Sequence, residues 1–278
     1  MPQIFVMYSN RTKVTGRAMV QELGTLMRRS RLSGSVHGAM DYMNGNWDLI
    51  IRWGNGGAAY SPNAEIFNSG NALVKSSDKI EMLKAFRLCA VPCPNYWLSS
   101  EFRHIHWPVI VRGRYHWSGK EFYEISNHDR LMRYADRNHY ACSIIDVKDE
   151  YRVFVFNGKV MEINKKSQEG EVSFQRNIRI RNFDNGWIFR RGGFEVPEGI
   201  RSAAKQALNA IGLDFGAADV YVDRQGVAGV FEINSAPSLV PRKLRKLCIK
   251  ILNKYYNVFD EVEVEDLIAE MRDVRDEA

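Results

Sequence analysis

Long hydrophobic runs are absent from this sequence, as are internal repeats and low-complexity tracts. A membrane-spanning helix needs about 18 or more consecutive apolar residues, so the sequence predicts no membrane partner. The opening residues MPQIFVMYSNRTK lack the basic-then-apolar layout of a secretory signal. We therefore expect a soluble protein of the cytoplasm.

Cysteine is scarce, with four in 278 residues. Cys89 and Cys93 are separated by three residues rather than the two that are usual in metal or redox pairs. Cys142 and Cys248 lie far from them and from each other. The scarcity and spacing exclude a disulfide framework and predict reduced cysteines that pack in the core.

Ordinary globular composition is what the sequence does have. Hydrophobic residues make up 45% and charged residues 26%, which excludes a mostly disordered chain, a coiled coil and a collagen-like fibre. The length predicts one or two cooperating domains. The net charge of +6 favours anionic partners such as nucleotides, nucleic acid or acidic peptides, without choosing among them.

Apolar periodicity and turn residues predict the secondary structure. Strands are expected at Gln3–Tyr8, Trp47–Trp53 and Pro108–Arg112; hairpins at Tyr151–Phe156 with Lys159–Ile163 and at Asp219–Asp223 with Val227–Asn234; helices at Arg17–Arg29, from Ser77, and at Gly199–Ile211, Pro241–Tyr256 and Val262–Arg272. Strand, helix and strand open the chain, whereas hairpins dominate its second half. The predicted class is therefore α+β with an α/β N-terminal lobe.

Three oxygen-bearing side chains on the second hairpin predict a metal site. Residues two apart share one face of a strand, so Glu232 and Asn234 point the same way. Antiparallel pairing brings Asp219 opposite the strand that carries them. Two carboxylates and a carboxamide are hard oxygen ligands, which suit Mg²⁺ when a substrate phosphate completes the octahedron. A solvated hairpin face is the alternative interpretation.

The same segment is similar to a known family. The run FEINSAPSL at Phe231–Leu239 resembles the metal-binding signature of ATP-grasp enzymes, with Asp219 in the place of the first ligand. Asn68–Pro94 resembles the entry to the central domain of that family, and Trp107–Gly113 resembles the strand that carries a nucleotide-contacting lysine. Asp149–Ser167 resembles a hairpin of RimK-like carboxylate–amine ligases. The order of the four matches is more specific than any one of them.

The resemblance implies a fold with ATP between two lobes that contain antiparallel sheet. Residues 1–75 would form an N-terminal α/β domain, 76–140 a central subdomain, and 141–278 a C-terminal subdomain with the metal site and terminal helices. The implied enzyme is an ATP-dependent carboxylate–amine ligase that works through an acylphosphate. It would use ATP and one or two Mg²⁺ ions, with Mn²⁺ as a substitute. Its other partners would be a carboxylate-bearing small molecule or peptide and an amine acceptor.

The resemblance also assigns roles to individual residues. Phosphate contacts would come from Lys79, from Arg112 in place of the lysine of the family, and from Gly113, Gly119 and Lys120 in a flap. Adenine and ribose contacts would come from Ile145, Asp146, Val147 and Glu150. Arg152, Lys165 and Arg181 would face the transferred phosphate and the acyl intermediate. The metal ligands would be Asp219, Glu232 and Asn234.

Several alternatives stay open on the sequence alone. An ATP-grasp phosphotransferase would use a non-carboxylate acceptor, and an inactive descendant would account for the arginine at position 112. A nucleic-acid-binding protein would use the basic runs Arg176–Arg181 and Pro241–Lys246. The second of these interleaves basic with apolar residues, which is typical of a solvated helix face and disfavours nucleic acid. Lys165 has the further alternative of a salt bridge with Glu150.

Overall fold

The chain is divided into two compact units in a computed structural model that describes residues 1–57, 61–116, 120–169 and 179–270. One unit comprises Met1–Leu73 and the chain from Ser235 onward, and the other comprises Val74–Asn234. None of the helices in these described ranges is long and apolar enough to cross a bilayer.

The strands and helices are numbered along the chain. The strands are β1 Gln3–Tyr8, β2 Ser35–Ala39, β3 Leu49–Trp53, β4 Glu65–Phe67, β5 Tyr96–Leu98, β6 Val109–Gly113, β7 Phe122–Ile125, β8 His139–Ser143, β9 Val147–Phe156, β10 Lys159–Gln168, β11 Trp187–Arg191, β12 Phe215–Asp223 and β13 Ala228–Asn234. The helices are α1 Lys13–Arg29, α2 Gly70–Ser77, α3 Lys79–Leu88, α4 His128–Leu131, α5 Ile200–Ile211, α6 Pro241–Tyr256 and α7 Glu261–Ala269.

The first unit is built on a parallel sheet with the strand order β2-β1-β3-β4. The central strands β1 and β3 are almost entirely buried, as expected of parallel strands covered by helices. Helix α1 packs against β1, β2 and α6. The C-terminal helices therefore group with the N-terminal residues, and Arg245 of α6 pairs with Glu22 of α1 at 2.6 Å. The three-part division made from the sequence stays a prediction.

The larger sheet of the second unit is antiparallel, in the order β11-β10-β9-β12-β13. Asn157-Gly158 joins β9 to β10 with φ values of 47° and 70°, so the predicted hairpin is confirmed. Helix α5 packs on β9, β12 and β13. Its flanking residues Gly199 and Gly212 both have positive φ, which ends the helix at each side. The predicted bounds, Gly199–Ile211, agree with the structure to within one residue.

The smaller sheet has the antiparallel order β5-β8-β6-β7 and carries its own apolar core. Phe102, Val109, Val111, Leu131 and Ala141 are buried together there. Sequence periodicity identifies β6 alone among these strands, because β6 opens on an apolar run (VIV) and the other three lack a clear apolar pattern.

The cysteines are free, as the sequence predicts, but they do not all lie in the core. Cys248 is buried on α6, whereas Cys89 is exposed and the prediction of a core position for it is wrong. The reason is local: Cys89 is the C-cap of α3, where the chain leaves the helix, and the next residue, Ala90, has a φ of 51°.

Two glycine-to-alanine changes should have opposite effects on stability. Gly158→Ala should lower the free energy of unfolding by about 1–2 kcal/mol, because an L residue is strained at a φ of 70° although no atom obstructs the added Cβ. Gly24→Ala in the interior of α1 should raise it by up to about 1 kcal/mol, since alanine favours the helix and its Cβ meets only the Arg28 side chain at 3.6 Å. Denaturant unfolding of both variants and the wild type measures the two effects. Changes of the same sign in both variants would show that backbone conformation does not govern stability at these positions.

Candidate functional site

A row of charged side chains crosses the three strands β9, β12 and β13. Asp219 on β12 lies opposite Arg152 of β9 on one side and opposite Glu232 of β13 on the other. Directly paired residues point to the same face of a sheet, and Asn234 shares that face because it follows Glu232 by two. The structure thus brings the three predicted metal ligands and Arg152 to one surface. A one-residue shift in the β12–β13 pairing directly follows Asp219, and such bulges often lie beside functional sites.

Arg152 and Asp219 form a two-pronged ion pair. The Arg152 Nε donates to Oδ1 of Asp219 at 2.7 Å, and its Nη2 donates to Oδ2 at 2.8 Å. The guanidinium also lies over the ring of Phe189, 4.4 Å from its centroid. Burial alone would lower the pKa of Arg152, but the Asp219 carboxylate raises it above the ordinary value. The guanidinium therefore stays charged, while each Asp219 oxygen retains a lone pair for another partner.

Lys79 reaches the same surface from the first turn of α3. Its side chain is buried, and its Nζ lies 3.3 Å from Oε2 of Glu232. Burial raises the pKa of Glu232, but Lys79 and the other nearby cations lower it more, so the pKa lies well below its usual range. Glu232 is thus an ionised carboxylate on a strand, matched by a lysine on a helix of the same unit.

Asp78 fixes the start of that helix. Its Oδ1 accepts hydrogen bonds from the backbone N–H groups of Ile80 and Glu81 at 3.1 and 3.2 Å, so Asp78 is the N-cap. The helix predicted from Ser77 thus has Asp78, rather than Ser77, as its cap and begins at Lys79, because either side chain suits the capping position. The Oδ2 of Asp78 accepts from Arg114 Nε at 2.8 Å. Burial raises the pKa of Asp78, but Arg114 and the capping N–H groups lower it overall.

Arg112 lies on β6, at the position where the resemblance predicts a nucleotide-contacting lysine. Its Nη2 is 2.6 Å from Nδ1 of His116, and Nε2 of His116 is 3.0 Å from the hydroxyl of Tyr140. Burial, with Arg112 as the next cause, lowers the pKa of His116 to about 3, so the ring is neutral. The nitrogen that accepts from Arg112 carries no hydrogen, and the hydrogen is therefore on Nε2, directed at Tyr140.

The oxygens of Asp219, Glu232 and Asn234 fit a Mg²⁺ ion whose remaining ligands are phosphate or water oxygens. Within the described ranges, His, Cys, Asp and Glu form no cluster of three or more that could hold a metal. The candidate site therefore depends on the amide of Asn234 and on oxygens from a ligand. The Nδ2 of Asn234 is buried without a hydrogen-bond partner, an unmet requirement that a phosphate oxygen would satisfy.

Glu150, to which the resemblance assigns a ribose contact, is buried and paired with Lys166. Burial raises the pKa of Glu150 in spite of that lysine. Lys166, which the resemblance also places in the basic lining, shares the face of Arg152, whereas the role facing the transferred phosphate is assigned to Lys165. Lys165 lies on the opposite face, with its Nζ 2.7 Å from Oδ1 of Asp149. The expected alternative bridge from Lys165 to Glu150 is therefore wrong.

A bulge in β10 explains that error. The two-residue turn predicts that Lys165 pairs with Glu150, if the hairpin keeps one register along its whole length. The register instead shifts by one residue between Val160 and Glu162, after which Lys165 pairs with Tyr151. A slip of one residue moves each later side chain to the other face, which exchanges Lys165 for Lys166.

The predicted adenine segment links β8 to β9. Asp146 is exposed and lies 3.0 Å from Nε of Arg224, while the N–H of Val147 bonds to the carbonyl of Ile145. Arg181 donates to the carbonyl of Val147 at 2.9 Å. The structure thus places Arg181 against this segment, and the nucleotide roles of these residues stay predictions.

The predicted flap Gly113–Lys120 is described only in part. Gly119 lies outside the described residues, as do Arg176, Asn177 and Ile178 of the basic run. Lys120 is exposed. At Gly113 an added Cβ would lie 1.6 Å from the Oε2 of Glu121, so that side chain would have to move for any other residue to fit.

Comparisons with known proteins show the fold. No family model and no curated protein matches the chain. D-alanine–D-alanine ligase from Bacillus anthracis is similar, with a TM-score of 0.64 at 16% identity over 97% of each chain. The ATP-grasp ligase PsnB, complexed with a minimal precursor, gives 0.63 at 12% identity over 90% of this chain and 99% of that one. N5-carboxyaminoimidazole ribonucleotide synthetase from Thermotoga maritima gives 0.56 at 14%, over 86% and 69%. The chain therefore has the ATP-grasp fold, and the predicted fold class is confirmed.

The contribution of Asp78 to stability should depend on pH. Asp78→Ala should lower the free energy of unfolding at pH 7 by about 1–2 kcal/mol, because it removes the cap of α3. Asp78→Asn keeps an oxygen for the cap but loses the charge that faces Arg114, so its effect should be smaller. The pKa of Asp78 is below the ordinary 3.8. The charge therefore stabilises the fold fully above that value and ceases to do so as the pH falls through the lower folded value.

Urea unfolding of the wild type and both variants at pH 7 and pH 3 measures this contribution. The gap between wild type and Asp78→Asn should narrow at pH 3, whereas the gap between the asparagine and alanine variants should persist. A gap between wild type and Asp78→Asn that is the same at both pH values would contradict the role of the ion pair.

Proposed function

We propose that this protein is an ATP-dependent carboxylate–amine ligase of the RimK-like kind, which joins its substrates through an acylphosphate. The observation that supports the proposal most directly is the charged surface of the larger sheet. There Asp219, Glu232 and Asn234 share one face with Arg152, and Lys79 reaches it from a helix. Oxygen ligands interleaved with buried or half-buried cations are what a metal–polyphosphate complex requires.

The cations of the surface would bind the phosphates. Lys79, Arg112, Arg152 and Lys166 would offset the charge that spreads over the transferred group. Arg152 and Lys166 lie against Phe189, whose ring keeps water from one side of them. Charges fixed in such a place act on the transition state without having to reorganise.

Asp219, Glu232 and Asn234 would hold Mg²⁺. When bound, the ion would neutralise charge on the phosphate oxygens and help to align them. Two of these residues already occupy neighbouring positions on paired strands, so their spacing is set by the sheet. Lys79 pairs with Glu232 and Arg152 pairs with Asp219, so both carboxylates are held in place.

The reaction would run in two steps. An oxygen of the substrate carboxylate attacks the γ-phosphorus of ATP, the bond to the β-phosphate oxygen breaks, and ADP leaves. The amine then attacks the acyl carbon, inorganic phosphate leaves with the bonding electron pair, and the nitrogen loses a proton to form the amide. Positioning and electrostatic stabilisation account for most of such catalysis, so a serine or cysteine nucleophile is not required.

The comparisons supply candidate substrates. Solved structures of similar fold include PsnB bound to its precursor peptide and a Chryseobacterium gregarium ligase bound to ADP and a leader and core peptide. D-alanine–D-alanine ligase is named for a small amino acid. We therefore propose that the carboxylate here is carried by an amino acid or a peptide, and that the acceptor is an amine.

A turnover assay tests the proposal. The protein is incubated with Mg·ATP and pooled amino acids or peptides, and ADP release and new product masses are followed. Wild type should release ADP only when both a carboxylate and an amine are present. Glu232→Ala should reduce turnover by about 100-fold or more, because it removes a metal ligand and leaves Lys79 unpaired. Asp149→Ala is the matched control, since its carboxylate pairs with a lysine on the opposite face of the same sheet.

Other outcomes would favour the rival functions. A phosphorylated product without an amide would indicate a phosphotransferase. Steeply salt-dependent oligonucleotide binding without nucleotide turnover would indicate a nucleic-acid-binding protein. Failure of the wild type to bind Mg·ATP would contradict any ATP-dependent activity.

A further inference from the structure

Arg112 is held differently from the other basic groups of the surface. Arg152, Lys79 and Lys166 each meet a carboxylate, whereas Arg112 is hydrogen-bonded to the imidazole of His116 at 2.6 Å. A carboxylate both orients and neutralises a guanidinium. A neutral imidazole orients it and leaves its positive charge for another anion.

His116 is itself fixed on its other side. Its Nε2 lies 3.0 Å from the Tyr140 hydroxyl, and both residues are buried. Tyr140 stands on β8 directly opposite Arg112 of β6, so the pairing of two strands sets where the ring must lie. The low pKa of His116 agrees with a ring that accepts a hydrogen at Nδ1. The imidazole is thus a hydrogen-bond acceptor whose position is fixed. The three side chains of this contact, Arg112, His116 and Tyr140, are buried or half-buried.

Arginine needs such an acceptor more than lysine does. The planar guanidinium presents its donors in a fixed fork, so its rotation decides which N–H groups face a phosphate, whereas an ammonium is close to a point charge. The ring of Phe122 lies 5.3 Å from the Arg112 carbon that joins the fork. The Nε of Arg112 is buried without a hydrogen-bond partner. The imidazole therefore fixes the Nη2 end of the guanidinium, while the Nε–H lacks a hydrogen-bond acceptor.

We propose that His116 is a positioning residue that orients the Arg112 guanidinium toward the phosphates of ATP, an assignment that rests on the proposed function. Tyr140 holds the imidazole in the required rotation and tautomer. Together they allow arginine to act at a position where the resembled family carries lysine.

Asparagine and glutamine at position 116 test separately the hydrogen bond to Arg112 and the hydrogen bond to Tyr140. The Oδ1 of asparagine lies close to where Nδ1 of histidine was, so His116→Asn keeps an acceptor for Arg112. The Oε1 of glutamine reaches instead to the place of Nε2, so His116→Gln keeps a partner for Tyr140. We expect His116→Gln to weaken the binding of a non-hydrolysable ATP analogue by tenfold or more, and His116→Asn by less than threefold. Calorimetry with Mg²⁺ present gives the dissociation constants, and the KM for ATP should rise more than kcat falls.

Lysine at position 112 provides the second test. Arg112→Lys removes the fork, so adding His116→Gln to that variant should change analogue binding by less than twofold. A full tenfold effect in the lysine background would show that His116 acts by some route other than Arg112. Thermal unfolding of each variant identifies losses caused by misfolding alone.

The two proposals fail in different ways. If wild type does not bind the analogue, the proposed function is wrong. If wild type binds it and the asparagine and glutamine variants bind equally well, the positioning role of His116 is wrong and the ligase proposal stands.

Discussion

Paired charges, buried or half-buried on one face of an antiparallel sheet, are the constraint on which the second unit depends. Each carboxylate of this surface has a basic partner: Glu150 with Lys166, Asp219 with Arg152, and Glu232 with Lys79. Moving a charge out of water costs several kcal/mol. Removing one partner of such a pair is strongly destabilising, because the other charge is left without a partner. The pairs therefore fix the β9–β10 register, the β9–β12 register and the position of the first turn of α3.

The same pairs prepare the surface for the proposed ligand. When a metal–nucleotide complex binds, each cation can exchange a carboxylate for a phosphate oxygen, and each carboxylate can exchange a cation for the metal. The buried charges are then paired both before and after binding. Little reorganisation is needed, which is the condition under which electrostatic stabilisation of a transition state is most effective.

The shared face of Asp219, Glu232 and Asn234 is predictable from sequence because it depends on local geometry, whereas contacts between distant segments are not. Glu232 and Asn234 are two apart on a strand, and a short hairpin returns Asp219 to their side. The β-bulge near Val160 decides whether Lys165 or Lys166 faces the site, and nothing in the turn residues reports it. The Arg112–His116–Tyr140 contact requires the pairing of β6 with β8, and β8 (HYACS) lacks the apolar pattern that marks β6 in the sequence. Likewise, the resemblance to ATP-grasp enzymes suggests that Lys79 belongs to the site, but it does not predict that Glu232 is its partner. That ion pair forms only because α3 packs near the larger sheet.

The arginine at position 112 bears on whether the chain has kept an activity. On the sequence alone, that departure from lysine is the best argument for an inactive descendant. The structure shows the arginine with a buried acceptor, His116, which is itself held by Tyr140. A partly buried guanidinium with an unpaired Nε costs stability, and an apolar side chain in its place would not. Stability alone therefore does not account for the arrangement, whereas binding of an anion by the guanidinium would.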